Sequence, residues 1–218
     1  MFSPRLNILH RSQRLLWDEL SLTPGEFILY GGTAIALRLG HRQSVDFDFF
    51  SFEPFAPDAL LSRVPFLKGG VVLQSAANAL TCRVDRQGPV QLSFFGGLSL
   101  GQVETPEPAV GTSLRVASLL DLAGMKVAVV TQRAETRDYL DVHAMMAAGL
   151  SLAQMLAAAE VVYGSQFSPL VALKALAYHD DLALTRLTPA IRRDLAGAVK
   201  AVDPLSLPTL SPVRRRRE

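Results

Sequence analysis

Residues 30–51 read YGGTAIALRLGHRQSVDFDFFS, and how that stretch divides decides the fold. The run EFILYGG at 26–32 is short and apolar and ends in adjacent glycines, as a strand does when it stops at a tight turn. A helix from 33 to about 39 follows. SVDFDFF at 44–50 then alternates with the two-residue period of a strand, which puts Val45, Phe47 and Phe49 on one face and Asp46 and Asp48 on the other. A strand, a glycine turn, a helix and a second strand in succession open a mixed α/β region.

Upstream, Leu6, Leu9, Leu15, Leu16 and Leu20 recur at roughly helical spacing over 5–20, until TPG at 23–25 breaks the pattern. Downstream, PDALLSRVPFL at 57–67 suggests a short helix. GVVLQS at 70–75, ALTCRVDR at 79–86 and PVQLSFF at 89–95 read as three strands, the last two joined by the turn RQGP. From 113 the composition changes to five helix-like segments, at 113–133, 137–149, 151–164, 168–181 and 188–202. Four of them open on Ser or Thr or are followed by Gly in capping positions. The expected fold is α/β (α+β): a mixed-sheet lobe over 1–112, a helical lobe over 113–203, and a flexible basic tail over 204–218. ETPEPAVGT at 104–112 is read as the connection between lobes, and RRRR at 214–217 as a solvated end.

Composition narrows the function classes. At 218 residues and 49% hydrophobic content the chain can bury a sizeable core. Its apolar stretches are interrupted before the roughly 18 residues a membrane helix needs, and the first residues lack a signal-peptide core. A soluble, cytoplasmic protein without a membrane partner is expected. The one cysteine, Cys82, cannot close an internal disulfide, and its strand-like setting argues against redox chemistry. A net charge of +2 does not by itself announce a nucleic-acid binder.

Asp46 and Asp48 carry the chemical interest. Two residues apart on a strand, they project from one face with Cα atoms about 7 Å apart. One reading is the wet face of a half-exposed strand. The other is a pair of ligands for Mg²⁺, which keeps several waters and takes further ligands from substrate phosphates, as in phosphoryl or nucleotidyl transfer. Gly31 and Gly32 favour the second reading. They stand between a strand and a helix N-terminus, where backbone N–H groups cradle phosphate and a side chain would obstruct close approach.

The spacing of GG, thirteen residues and then DFD resembles the signature of the nucleotidyltransferase superfamily. More narrowly, the stretch is similar to the AbiEii-type nucleotidyltransferases, through Gly31, Gly32, Thr33, Ala34, Arg42, Ser44, Asp46 and Asp48. A later block, DLAGMKVAVVTQRAETRDYLDVHAM, carries the resemblance on through Lys126, Arg133, Arg137, Asp138, Tyr139 and Asp141. The resemblance implies transfer of NMP from an NTP, with Mg²⁺ (or Mn²⁺), to an RNA such as tRNA, a protein or a small acceptor. It also implies the toxin role of a toxin–antitoxin or phage-defence system, with a cognate antitoxin protein as partner.

On that resemblance the catalytic set is Asp46, Asp48, Lys126 and Asp141, with Asp46 and Asp48 as metal ligands. The nucleotide-binding set is Gly31, Gly32, Thr33, Arg42, Ser44, Ser93, Arg133 and Asp138. Lys126 reads as a phosphate contact or as a snorkelling helix-edge residue. Asp138 and Asp141, one helical turn apart, read as a base for the attacking hydroxyl or as partners of Arg42, Arg133 or Arg137.

One position departs from the pattern. PVQLSFF offers Ser93 where these enzymes place a third carboxylate, and serine is no general base without help. The alternatives are substitution by Asp85, Asp138 or Asp141, or a catalytically impaired domain that still binds nucleotide or a partner. His179–Asp180 resembles part of a metal-dependent phosphohydrolase set but has no matching second pair.

Overall fold

The computed structural model describes residues 1–178 and 182–216, so His179–Asp180 lies outside the described part. The chain divides into two compact units, one formed by Met1–Ser99 with Pro106–Ala117, the other by Leu100–Thr105 with Ser118–Glu218.

The first unit contains α1 (Arg11–Trp17), β1 (Ile28–Tyr30), α2 (Gly31–Leu39), β2 (Asp46–Phe50), α3 (Pro57–Arg63), β3 (Val71–Ala76), β4 (Ala79–Asp85), β5 (Pro89–Phe95), β6 (Glu107–Pro108) and β7 (Arg115–Val116). Its strands form one mixed sheet in the order β3-β4-β5-β2-β1-β7-β6. β1 is antiparallel to β2, β2 is parallel to β5, and β4 is antiparallel to both β3 and β5.

The alternation of β2 sets the core. Phe47 and Phe49 are wholly buried, and on β5 Leu92 and Phe94 share that face. Phe49 stacks on Phe94 at 4.8 Å, and Phe27 meets Phe94 edge-on at 5.2 Å. Each such ring contributes about 1.5–3 kcal/mol by leaving water. Val45 does not join them: the strand begins at Asp46, and Val45 is 53% exposed.

Two sequence expectations change here. The helical run over 5–20 is broken, because His10 is extended and its N–H donates to Gln13 Oε1 at 3.1 Å, restarting the helix at Arg11. More consequentially, residues 113–117 are not helical. Arg115–Val116 pairs with Glu107–Pro108 and lies parallel to β1, so part of the expected connection is sheet. β1 has an edge left over beside Leu29. Val116 fills it, while the Ala117 N–H donates to Leu29 O at 3.0 Å. Arg38 of α2 locks this edge by donating to Ala117 O and Glu107 Oε2, each at 2.9 Å.

The second unit is helical: α4 (Leu119–Val129), α5 (Thr136–Ala147), α6 (Leu152–Tyr163), α7 (Pro169–Ala177) and α8 (Pro189–Ala201). Ser118, Ser151 and Thr188 cap α4, α6 and α8 by accepting backbone N–H bonds through their hydroxyls. α4 and α6 pack backbone to backbone, since a Cβ on Gly124 would stand 2.7 Å from the Ala158 carbonyl carbon. Within 204–216, expected to be a flexible tail, Arg214 pairs through its backbone with Gln102, and Arg216 donates to Tyr163 O at 2.6 Å.

Candidate active site

β1 stops at Tyr30, and Gly31 opens α2 with φ +74°, a conformation that costs other residues about 1–2 kcal/mol. The close approach is as demanding as the torsion. A Cβ on Gly31 would lie 2.6 Å from Asp48 Oδ2, and one on Gly32 would lie 2.6 Å from an Arg42 guanidinium nitrogen and 3.3 Å from Ser44 Oγ. The two glycines therefore let a carboxylate and a guanidinium settle on the first turn of α2. Tyr30, at the cap position, supplies no side-chain acceptor to that turn, whose N–H groups form the positive end of the helix dipole.

Asp46 and Asp48 are half-buried and stand on the face of β2 opposite Phe47 and Phe49. Register places Tyr30, Asp48, Ser93 and Thr81 in one row across β1, β2, β5 and β4. Ser93 is 5% exposed, and its hydroxyl lies 3.5 Å from that of Thr81. Thr81 was not anticipated. Its signal was the RQGP turn: once Asp85 pairs with Pro89, counting back along the hairpin puts Thr81 beside Ser93.

The position opposite Asp48 is thus a serine flanked by a threonine, and within this unit Asp85 does not reach it. Asp85 is exposed in the hairpin turn, accepting from Gln87 N at 3.1 Å, about 13 Å along β4 from Thr81. Asp138 and Asp141 are wholly buried in the second unit. Among the described residues no group of three or more His, Cys, Asp or Glu side chains gathers to hold a metal. Two carboxylates on one face, with hydroxyls beside them, nevertheless form an all-oxygen set of the kind that suits Mg²⁺ when waters and phosphates complete its shell.

Behind the carboxylates, Thr33 is 1% exposed. Its hydroxyl donates to the Asp46 carbonyl oxygen and lies 2.8 Å from Ser44 Oγ. Arg42 donates to Gln43 O at 2.9 Å.

The second unit holds the other predicted residues. Lys126 of α4 is 8% exposed, and its Nζ lies 2.7 Å from Asp138 Oδ1 and 3.0 Å from Asp141 Oδ2, both on α5. Arg133 Nε lies 2.9 Å from Asp138 Oδ2. Two cations thus face two buried carboxylates. Of the partners expected for the aspartates, Arg133 is found on Asp138, whereas Arg137 pairs with Glu135 at 2.6 Å. Sequence reasoning missed Lys126 as the shared partner.

It also missed Asp121, 1% exposed, which accepts from Val103 N at 2.6 Å, Glu104 N at 3.0 Å and Ser118 Oγ at 2.6 Å. Burial pushes the Asp121 carboxyl above the usual carboxylate range, against the pull of these donors. Its signal was its place three residues after the cap Ser118.

A mixed sheet that carries an aspartate pair beside a glycine turn and a helix N-terminus defines the nucleotidyltransferase class, and solved structures share its fold. MenT4, a nucleotidyltransferase toxin of Mycobacterium tuberculosis, superposes with a TM-score of 0.58 at 17% identity over 88% of this chain and 82% of its own. An antigenic nucleotidyltransferase-like protein of Paracoccidioides brasiliensis gives 0.51 at 19% identity, over 80% and 84%.

The family follows from sequence: the profile described as "Nucleotidyl transferase AbiEii toxin, Type IV TA system" matches residues 14–211, and the chain belongs to that family of nucleotidyltransferases. An uncharacterized protein of Aquifex aeolicus is 32% identical over 123 residues, which is 56% of this chain and 58% of that protein. The match thus spans little more than half of that relative's length.

Proposed function

We propose that the protein transfers NMP from an NTP to a hydroxyl or phosphate of an acceptor, which is tRNA or another RNA, a protein or a small molecule. In this reading it acts in the cytoplasm as a toxin restrained by a cognate antitoxin protein. The observation that carries the reading is the seating of the Asp48 carboxylate against Gly31, where a Cβ would come within 2.6 Å of Oδ2. That contact brings a candidate metal ligand to the positive end of α2, where phosphates bind.

Asp46 and Asp48 are the residues that would hold Mg²⁺ or Mn²⁺. Such an ion supplies charge neutralisation at the phosphate being transferred. Gly31 and Gly32 present backbone N–H groups, and Arg42 brings a fixed positive charge to the same turn. Lys126 serves first as counter-charge to Asp138 and Asp141, which hold it at hydrogen-bond distance. The buried positions of those aspartates favour a scaffold role over that of base.

The test is incubation with each α-labelled NTP, Mg²⁺ and total RNA, followed by separation of labelled RNA from labelled protein. Wild type should label one of them and Asp46→Asn should not; labelling that survives Asp46→Asn overturns the reading. A second reading, nucleotide binding without turnover, is favoured by Ser93 alone, and calorimetric NTP binding without label transfer to any acceptor would support it.

A further inference from the structure

We infer that Thr33 is a positioning residue whose hydroxyl holds the Asp46 end of β2 against the first turn of α2, and so sets the separation between metal ligands and phosphate cradle. The inference rests on the reading of Asp46 and Asp48 as metal ligands.

The pairing of β1 with β2 ends at Tyr30↔Asp48, because the chain turns into α2 at Gly31. Asp46 lies two residues beyond that point, held on its other side by the register with Gln91 of β5. On the β1 side, the Asp46 carbonyl oxygen accepts from the hydroxyl of Thr33. A side chain on the first turn of α2 thereby continues the ladder that β1 leaves unfinished.

The same oxygen of Thr33 lies 2.8 Å from Ser44 Oγ. A hydroxyl has one proton, and a carbonyl can only accept. If the Thr33 proton goes to Asp46 O, the proton between Thr33 and Ser44 comes from Ser44. Three elements are joined through one atom: the start of α2, the loop before β2, and the first residue of β2.

At 1% exposure Thr33 has no surface to offer a nucleotide, so its place beside the glycines is explained by what it holds. Its methyl group packs in the interior and can be kept while the hydroxyl is removed. This makes Thr33→Val the informative substitution and Thr33→Ser its rescue, since serine keeps the donor and loses only the methyl.

The experiment pairs Mn²⁺ titration, followed by electron paramagnetic resonance, with Mg²⁺-dependent label transfer, on wild type, Thr33→Val and Thr33→Ser. Thermal midpoints confirm that each variant is folded. One lost hydrogen bond predicts that Thr33→Val binds Mn²⁺ about three- to tenfold more weakly, with a matching rise in the Mg²⁺ midpoint of transfer. Its KM for NTP at saturating Mg²⁺ should stay near wild type, and Thr33→Ser should restore the Mn²⁺ affinity.

Wild-type Mn²⁺ affinity in Thr33→Val, or a loss in Thr33→Val that Thr33→Ser does not repair, overturns the inference. If wild type itself binds no Mn²⁺, the metal-site reading fails instead. Should Thr33→Val not fold, Thr33→Ser alone decides, because it must then fold and bind Mn²⁺ as wild type does.

Discussion

Among the described residues, the aspartate pair on β2 and the aspartate pair on α5 have settings that differ in one decisive respect. Asp46 and Asp48, two residues apart on a strand, are half-buried at a turn opened by glycines. Asp138 and Asp141, three residues apart on a helix, are fully buried and share Lys126, with Arg133 balancing the count. Carboxylates that keep contact with solvent remain available to a cation from outside. Carboxylates sealed from water must carry their counter-charge within the fold, since an unpaired buried ion costs several kcal/mol. The residue type is the same in both places, and burial is what distinguishes the pair proposed to bind a metal from the pair proposed as scaffold.

The sharpest way to break this comparison is Asp48→Asn. Loss of a metal ligand should reduce transfer by more than the roughly 10- to 100-fold that losing an outer partner of a ligand costs. Stability should move by no more than about 0.5 kcal/mol. A large stability loss with transfer intact would make the strand pair structural after all.

Lys126→Met tests the other side. It should destabilise by about 3–5 kcal/mol in urea unfolding, because two buried carboxylates are left with one cation. Adding Asp141→Asn should recover part of that loss. If Lys126→Met unfolds at the wild-type midpoint but has lost NTP binding, Lys126 belongs to the nucleotide and the comparison fails.

Gly31→Ala should cost about 1–2 kcal/mol for its positive φ. It should also lower transfer, because the new methyl would displace the Asp48 carboxylate. A variant with the stability cost but unchanged transfer would show that the seating of Asp48 is incidental.

The smallest expected effect is on pH dependence, and its sign differs between the units. In the first unit, the bidentate hydrogen bonds from Arg86 hold Glu19 below the usual carboxylate range. The stability it contributes is present above its unfolded value and is lost as pH falls through the lower, folded one. In the second unit, burial raises Asp121, so its ionised form weakens the fold at neutral pH, and that cost fades as pH falls through the raised value. Hydrogen exchange during acidification should therefore show protection falling around α1 and rising around α4 near Asp121. Arg86→Ala should flatten the first trend and Asp121→Asn the second.

Much of this was legible along the chain. The DFDFF alternation separates core phenylalanines from aspartates, and a Gly-Gly between strand and helix announces close backbone approach. These signals are local, set by the two-residue strand period and the absence of a Cβ. The start of α4 was not legible, because Arg115 and Val116 suit a helix as well as a strand and only the vacant edge of β1 draws them into the sheet. The partnership of Lys126 was hidden for the same reason. Helical spacing shows that Asp138 and Asp141 share a face, but not which cation from another helix meets it.

The sequence by itself determined the class of protein, the aspartate pair and the glycine turn, since each depends on neighbours a few residues away. Only the tertiary structure decided that Ser93 and Thr81 occupy the row beside Asp48, that Thr33 holds Asp46, and that Lys126 answers two buried carboxylates. Those arrangements depend on register and burial, which arise only when distant segments pack and exclude water.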